Sequence, residues 1–145
     1  MLTIAMLAAT ALGASSVDPV KAFLSRHPDM RLVDASDTSV CPEAPKEGLQ
    51  FAPVVRADLT GDKREDVAFV VVSRKAPRSF GVVALHARDT GSSEHWVVSP
   101  STTPLRGVGL YSSPWGTYLF AGGCSLADTR GYEWAERLYL PARIY

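Results

Sequence analysis

The hydrophobic positions near the start of the chain follow a helical period. Asp18 followed by Pro19 is typical of a helix start, because Asp caps free N–H groups and Pro is tolerated in the first turn. Val20, Phe23 and Leu24 then share one helical face. The spacing predicts one short helix at this point.

Beyond residue 48 the chain consists mainly of short β-favouring runs separated by turn residues. Val67–Val72 is apolar at every position, which predicts a central strand covered on both faces. The other predicted strands are Met30–Asp34, Leu49–Asp58, Phe80–Ala87, Glu94–Ser99, Val108–Tyr111, Thr117–Ala121, Tyr132–Trp134 and Leu138–Leu140. One helix followed by strands predicts an α+β fold, in which an N-terminal helix packs on a mainly antiparallel sheet.

The first sixteen residues resemble a secretory signal. Residues 2–12 are an apolar run too short to span a bilayer, and cleavage after Gly13 or Ser16 would suit signal peptidase. We therefore interpret residues 1–16 as a signal peptide and residues 17–145 as one exported domain, in the periplasm or the medium. A buried N-terminal helix is the alternative, because no Lys or Arg precedes the run.

Composition narrows the classes of function. The chain has 46% hydrophobic and 21% charged residues, which is typical of a globular domain. Lys plus Arg (15) equals Asp plus Glu (15), so the surplus of positive charge that general nucleic-acid binding needs is absent. Outside residues 2–12, which are themselves too short, no other apolar stretch in the sequence is long enough to cross a membrane.

Cys41 and Cys124 are the two cysteines of the sequence. An isolated pair usually forms a disulfide in an oxidising compartment, and neither has a CxxC or zinc-ligand spacing. Closing the long loop between them would contribute about 4 to 5 kcal/mol in the chain-entropy account. We expect a Cys41–Cys124 disulfide.

The segment from Asp58 to Asp66, DLTGDKRED, carries the most informative spacing. Oxygen-bearing side chains fall at positions 1, 3, 5 and 9 of a turn between two predicted strands, and Gly61 allows a sharp bend. Calcium takes six to eight oxygen ligands, which a curled loop supplies from alternate residues and a main-chain carbonyl. The other interpretation, to which we give more weight, is a metal-free turn held by side-chain hydrogen bonds to backbone N–H groups.

This segment resembles the calcium loops of FG-GAP and VCBS-like repeats, D-x-[DN]-G-D-G-x-x-D followed by an apolar strand. The likeness covers Asp58–Val72, within a layout that resembles small exported bacterial proteins. It implies Ca²⁺ as the ligand. The side chains that it implies as ligands, with the main-chain carbonyl of Arg64, are those of Asp58, Thr60, Asp62 and Asp66.

Two positions depart from the family's pattern. Thr60 stands where the family has Asp or Asn, and Lys63 stands where it has Gly. A left-handed Lys63 would cost about 1 kcal/mol or more. We expect weak calcium binding, with a dissociation constant of about 10⁻⁴ to 10⁻³ M. The loop occurs once, which excludes a propeller of such repeats.

His86 and His95 lie on the two arms of a predicted hairpin. If the turn is symmetric about residues 90 and 91, the two side chains face each other directly. Opposed imidazoles can share a transition metal or act as a pH-sensitive pair. The interpretation that we favour is two half-exposed histidines.

The sequence contains no recognised catalytic motif, so we assign no catalytic residue. Tyr111, Trp115 and Tyr118 surround a turn and are the candidate interface. The reading we favour is a non-enzymatic binding or structural domain with a protein or glycan partner. The alternatives are a small secreted hydrolase with an unrecognised site, and a periplasmic enzyme inhibitor that inserts a loop such as 112–116.

Overall fold

The residues that the structure describes form two antiparallel β-sheets and one short α-helix, which confirms an α+β class built mostly of antiparallel strands. In the computed structural model, α1 spans Pro19–Arg26 and a 3₁₀ turn spans Ala35–Asp37. The strands are β1 Met30–Leu32, β2 Val54–Ala57, β3 Asp66–Ser73, β4 Phe80–Ala87, β5 Ser92–Ser101, β6 Gly109–Ser112, β7 Tyr118–Gly122, β8 Arg130–Ala135 and β9 Leu138–Pro141. The structure describes residues 17–37, 53–76, 79–101, 109–112, 118–122, 130–135 and 138–141.

The predicted central strand is confirmed in β3. It pairs with β4 along one edge, while β1 and β2 lie end to end along the other. Every residue from Asp66 to Val72 is buried. The sequence predicted a single sheet, but β6, β7, β8 and β9 form a second, four-stranded sheet. Strand patterning specifies the faces of each strand but not which strands share a sheet.

The predicted start of α1 is also confirmed. The Asp18 carboxylate accepts a hydrogen bond of 3.0 Å from the Val20 N–H, and Pro19 occupies the first turn. Val20 and Phe23 are buried, and the Phe23 ring contacts the Phe69 ring edge-on at a centroid distance of 5.1 Å.

Alternate side chains of β3 serve two separate hydrophobic clusters, because successive strand residues point to opposite faces. Ala68, Val70 and Val72 join residues of β4 and β5 and Tyr139 of the second sheet. The residues between them join α1 and Trp96 on the other face. Both faces of β3 are therefore buried, which explains its unbroken apolar run.

The predicted β4–β5 hairpin is present, but its predicted register is wrong. His86 lies opposite Ser93, and His95 lies opposite Ala84. The turn comprises residues 88–91 and is closed by the Arg88 N–H, which donates to the Gly91 carbonyl at 3.0 Å. The pairing is therefore centred between residues 89 and 90, and the two histidines are diagonal neighbours.

In the part of the chain that the structure describes, no helix has the length and apolar character needed to span a bilayer.

We predict that Gly81→Ala destabilises the domain by about 1 to 3 kcal/mol, the usual cost of overpacking a core. A Cβ atom at Gly81 would lie 2.6 Å from Trp96 Cζ3 and 3.0 Å from the Val98 carbonyl oxygen. Urea unfolding at neutral pH gives the change in free energy, and near-ultraviolet circular dichroism reports displacement of Trp96.

The matched control is Gly91→Asn. Gly91 has a φ of 77° and open space where a Cβ atom would lie, and Asn tolerates this backbone conformation. Equal losses of stability in the two variants would contradict the steric account of Gly81.

Candidate functional site

The Asp58 carboxylate organises the loop between β2 and β3. Its Oδ1 atom accepts hydrogen bonds from the Gly61 and Asp62 N–H groups at 2.7 and 3.1 Å. Its Oδ2 atom accepts from the Lys63 N–H at 2.8 Å. Partial burial opposes ionisation, but these N–H groups outweigh it and hold the pKa of Asp58 below its ordinary value. The chain therefore curls around its first acidic residue.

Two residues of this loop have left-handed backbone conformations, and one of them is Lys63, where the resembling family has Gly. Gly61 has a φ of 81°, and Lys63 has a φ of 68°. Within the described ranges, Lys63 is the one non-glycine residue with a positive φ. A lysine there carries a conformational cost of about 1 to 2 kcal/mol. The hydrogen bond from Lys63 to Asp58 holds the residue in that conformation.

Asp66 ends the loop and is almost completely buried, with 1% of its surface exposed. Its Oδ2 atom accepts from the Leu59 N–H at 2.9 Å, and its Oδ1 atom accepts from the Ala87 N–H at 2.8 Å. Burial raises the pKa of Asp66, while these two N–H groups act in the opposite direction. One side chain thus joins the start of the loop to the end of β4.

The remaining candidate ligands are placed more loosely. Thr60 Oγ1 lies 3.5 Å from Asp58 Oδ1, and Asp62 Oδ1 accepts from the Arg64 N–H at 2.9 Å. The Arg64 guanidinium turns outward and donates to Asp89 at 2.7 Å. The structure therefore gathers the predicted residues in one loop through hydrogen bonds to its own backbone.

These carboxylates do not form a ready calcium site in this arrangement. All three of them, Asp58, Asp62 and Asp66, accept backbone N–H groups. Among the described residues, no group of three or more His, Cys, Asp or Glu side chains is placed to hold a metal ion. Calcium would have to compete with the hydrogen bonds that already close the loop, so its binding stays a prediction.

A groove of about 620 Å³ lies beside this loop. Glu65 from the loop, Ala87 from β4 and Arg26 from α1 contribute to its walls, and histidine is absent from the described residues that line it. Arg56, also in the lining, lies 3.7 Å from Glu65 and 3.6 Å from Asp18. The groove therefore combines apolar walls with opposite charges that partly compensate each other.

Sequence reasoning missed a buried aromatic cluster between the two sheets. His86 is 1% exposed, and its Nε2 atom lies 2.8 Å from the Tyr139 hydroxyl. The rings of His86 and His95 stack at a centroid distance of 4.4 Å, and Trp134 meets both edge-on. The proximity of two histidines was the available signal, but Trp134 and Tyr139 lie about forty to fifty residues further along the chain.

The interpretation of half-exposed histidines is wrong for His86, which is 1% exposed. The geometry also does not suit the sharing of a metal ion by His86 and His95. Ring nitrogens direct their lone pairs in the ring plane, so stacked rings point them side by side and not at one ion. Burial lowers the pKa of His86 to about 4, with smaller contributions from His95 and Arg88. Burial, followed by Arg88, also lowers the pKa of His95. The neutral imidazoles are favoured by their surroundings.

A second polar group lies at the start of β5. Ser93 Oγ lies 3.0 Å from His95 Nε2, and the Arg88 Nε–H donates to the same oxygen at 3.0 Å. A serine beside an imidazole and a cation has the donors and acceptors of a weakly activated nucleophile. Strand periodicity brings Ser93 and His95 to the same face, two residues apart.

Several predicted features lie outside the described residues, namely the signal peptide at 1–16, Cys41, Cys124 and Trp115. The backbones of Tyr111 and Tyr118 lie in β6 and β7, with Tyr111 opposite Phe120 and Tyr118 opposite Glu133. The predicted disulfide and the predicted interface therefore stay predictions.

We predict that Lys63→Gly stabilises the domain by about 0.5 to 1 kcal/mol, because glycine adopts a positive φ without steric cost. Chemical unfolding in the presence of a chelator measures the change. Lys63→Ala is the control, since it removes the charged side chain but keeps the Cβ atom. A gain in Lys63→Ala as large as in Lys63→Gly would contradict the conformational explanation.

Comparison with known proteins supplies no independent assignment. No family model, characterised protein or solved structure matches the chain. The resemblance of Asp58–Val72 to FG-GAP and VCBS-like loops is neither confirmed nor refuted by this result. The function must therefore be argued from the loop, the groove and the buried cluster.

Proposed function

We propose that the chain is an exported, non-enzymatic binding or structural domain in which Asp66 acts as an internal clip. The Asp66 clip is the pair of hydrogen bonds from Leu59 and Ala87 to one buried carboxylate. This pair is the observation that carries the proposal. In this domain the helix beginning at Pro19 is the N-terminal helix of the mature chain, and it covers one face of the five-stranded sheet.

The energetics favour a structural role for Asp66. Hydrogen bonds to an ionised acceptor contribute about 1.5 to 3 kcal/mol each, and a buried N–H left without a partner costs about 1 to 3 kcal/mol. The residues that the clip joins, Leu59 and Ala87, are 28 positions apart in the chain. The β3–β4 pairing brings Ala87 beside Asp66, and the clip adds the start of the loop, at Leu59, to this contact.

The clip also fixes one wall of the groove. The Ala87 N–H donates to Asp66, and this hydrogen bond holds Ala87 in place. Glu65, the residue before Asp66, contributes a charged side chain to the same wall. A rigid concave surface with apolar and charged parts suits recognition of a protein or glycan partner. The loop would therefore serve binding indirectly, by holding the surface beside it.

Calcium is an additional component of this proposal. The family resemblance assigns it to Asp58, Thr60, Asp62, Asp66 and the Arg64 carbonyl, and the left-handed Lys63 supports the likeness of the backbone. The clip itself needs no ion. Calcium would add stability only if its coordination exceeded the cost of the N–H bonds it displaces.

Export is proposed from the sequence alone. The apolar run at residues 2–12 and the pair Cys41 and Cys124 both suit an oxidising compartment outside the cytoplasm. The inhibitor alternative depends on loop 112–116, of which the structure describes Ser112 at the end of β6.

We predict that Asp66→Ala lowers the free energy of unfolding by about 2 to 5 kcal/mol in chelator, because two buried N–H groups lose their acceptor. The matched control is Asp62→Ala, which removes an exposed carboxylate with one turn hydrogen bond and should cost less than about 1 kcal/mol. Equilibrium urea unfolding of both variants gives the comparison. Equal effects of the two substitutions would contradict the clip.

Adding millimolar calcium to the same proteins distinguishes the effect of ion binding on stability from the effect of the clip. A rise in the melting temperature of the wild type that Asp62→Ala abolishes would support the calcium assignment. An unchanged melting temperature would remove calcium from the proposal and leave the clip intact, since the clip is measured in chelator.

A small hydrolase is the second candidate function, and the Ser93–His95–Arg88 contact is the observation that favours it. A fluorophosphonate probe, which labels activated serines, tests this candidate directly. If the domain is non-enzymatic, the probe should not label Ser93, so the wild type and Ser93→Ala should show the same labelling. Labelling of the wild type but not of Ser93→Ala would overturn it, with Ser92→Ala, at the neighbouring serine of the groove, as the matched control.

A further inference from the structure

The hydrogen bond between His86 and Tyr139 joins the two sheets of the molecule. His86 belongs to β4 in the five-stranded sheet, and Tyr139 belongs to β9 in the four-stranded sheet. Tyr139 is itself 8% exposed and is a member of the hydrophobic cluster between the sheets. On either side of it, Leu138 and Leu140 are 48% and 40% exposed. Tyr139 is therefore the side chain that anchors β9 to the sheet beneath it.

The neutral form of His86 fits this position, and the protonated form does not. A neutral imidazole can donate its Nε2–H to the Tyr139 oxygen and leave only a lone pair on Nδ1. An imidazolium carries an N–H on both nitrogens. Nδ1 of His86 is buried and has no hydrogen-bond partner among the described residues. A proton on this ring would create both a buried charge and a buried donor without an acceptor.

We propose that the His86–Tyr139 contact is an acid-sensitive latch, which releases β9 from the five-stranded sheet when the exported protein enters a mildly acidic environment. The strand is suited to separate first, because in the described sheet order it lies at the edge and pairs with β8 alone. The inference rests on the export proposed above, but not on the Asp66 clip or on calcium.

The groups around His86 determine its response to acid. His95 stacks on it from β5, and Arg88 lies in the hairpin turn; both disfavour a positive charge on His86. Asp62, from the loop, acts in the opposite direction but is the smallest of these influences. Tyr139, facing it from β9, stays protonated because burial raises its pKa. Asp66 and Glu94 lie near His95 and favour its protonated form, against its burial and Arg88.

The direction of the pH effect follows from the pKa of His86 in the closed state and in the state in which β9 has separated. When β9 has separated, water reaches His86 and its pKa approaches the ordinary value of 6.5, whereas in the closed state it is about 4. The open state therefore binds more protons between these values. The contact has its full strength above pH 6.5 and weakens as the pH falls towards 4.

Hydrogen exchange across this pH range tests the latch on the full chain. We expect the opening equilibrium of the Leu138, Tyr139 and Leu140 amides to rise by about tenfold for each pH unit below 6.5, after correction for intrinsic exchange. The amides of Val67–Val72 in β3 should not follow. A β9 opening equilibrium that is independent of pH, or that changes in parallel with β3, would overturn the proposal.

Histidine variants can show which side chain causes the pH dependence of β9 opening, because the sequence contains only three histidines. His86→Gln keeps a polar partner for Tyr139 but cannot titrate, and it should abolish the pH dependence of β9 opening. His27→Gln is the matched control and should leave the dependence unchanged, since His27 pairs with Glu94 at the end of α1. The reverse pattern would overturn the latch.

A titration of the wild type keeps the test valid if His86→Gln does not fold. Side-chain NMR should show His86 neutral in the closed state down to about pH 5, one unit above its pKa in that state. A closed state in which His86 is protonated near pH 6.5 would contradict the proposal. Stabilisation of the imidazolium by the Trp134 ring would give that result.

Discussion

A carboxylate that is 1% exposed must have its oxygens satisfied by protein groups, and Asp66 meets this requirement with two backbone N–H groups from distant parts of the chain. Leu59 belongs to the loop before β3, and Ala87 is the last residue of β4. The loop cannot move away from the hairpin without leaving Asp66 and both donors unpaired in the interior. This constraint positions the loop, the end of β4 and the adjacent wall of the groove.

The end of β4 connects the proposed clip to the proposed latch. Ala87 donates its N–H to Asp66, while the preceding residue, His86, directs its side chain between the sheets towards Tyr139. Backbone and side chain of two successive residues thus serve different contacts. The calcium-like spacing and the histidine pair, which looked unrelated along the chain, belong to one region of the fold.

Local patterns predicted the local structure well. Asp18 and Pro19 identified the helix start, the apolar run Val67–Val72 identified the central strand, and β4 has the predicted bounds Phe80–Ala87. The family resemblance marked Lys63 as a position where a left-handed backbone would be strained, and the structure shows that conformation there. These features depend on interactions within a few residues, which a pattern can represent.

Exact strand register and contacts with distant partners could not be predicted. The register of His86 and His95 differed because the turn at 88–91 is centred one residue earlier than a symmetric turn about 90 and 91. The sequence marked Asp66 as a candidate ligand, and only its contact with Ala87 shows it as a buried acceptor. The pairing of His86 with Tyr139 requires the second sheet, which strand patterning does not specify.

Amide hydrogen exchange at Leu59, measured by NMR in calcium-free buffer, tests the clip most directly. The account predicts that Leu59 exchanges as slowly as the amides of β3, although it lies in a loop; exchange at the rate of an open loop, slowed only when calcium is added, would contradict it.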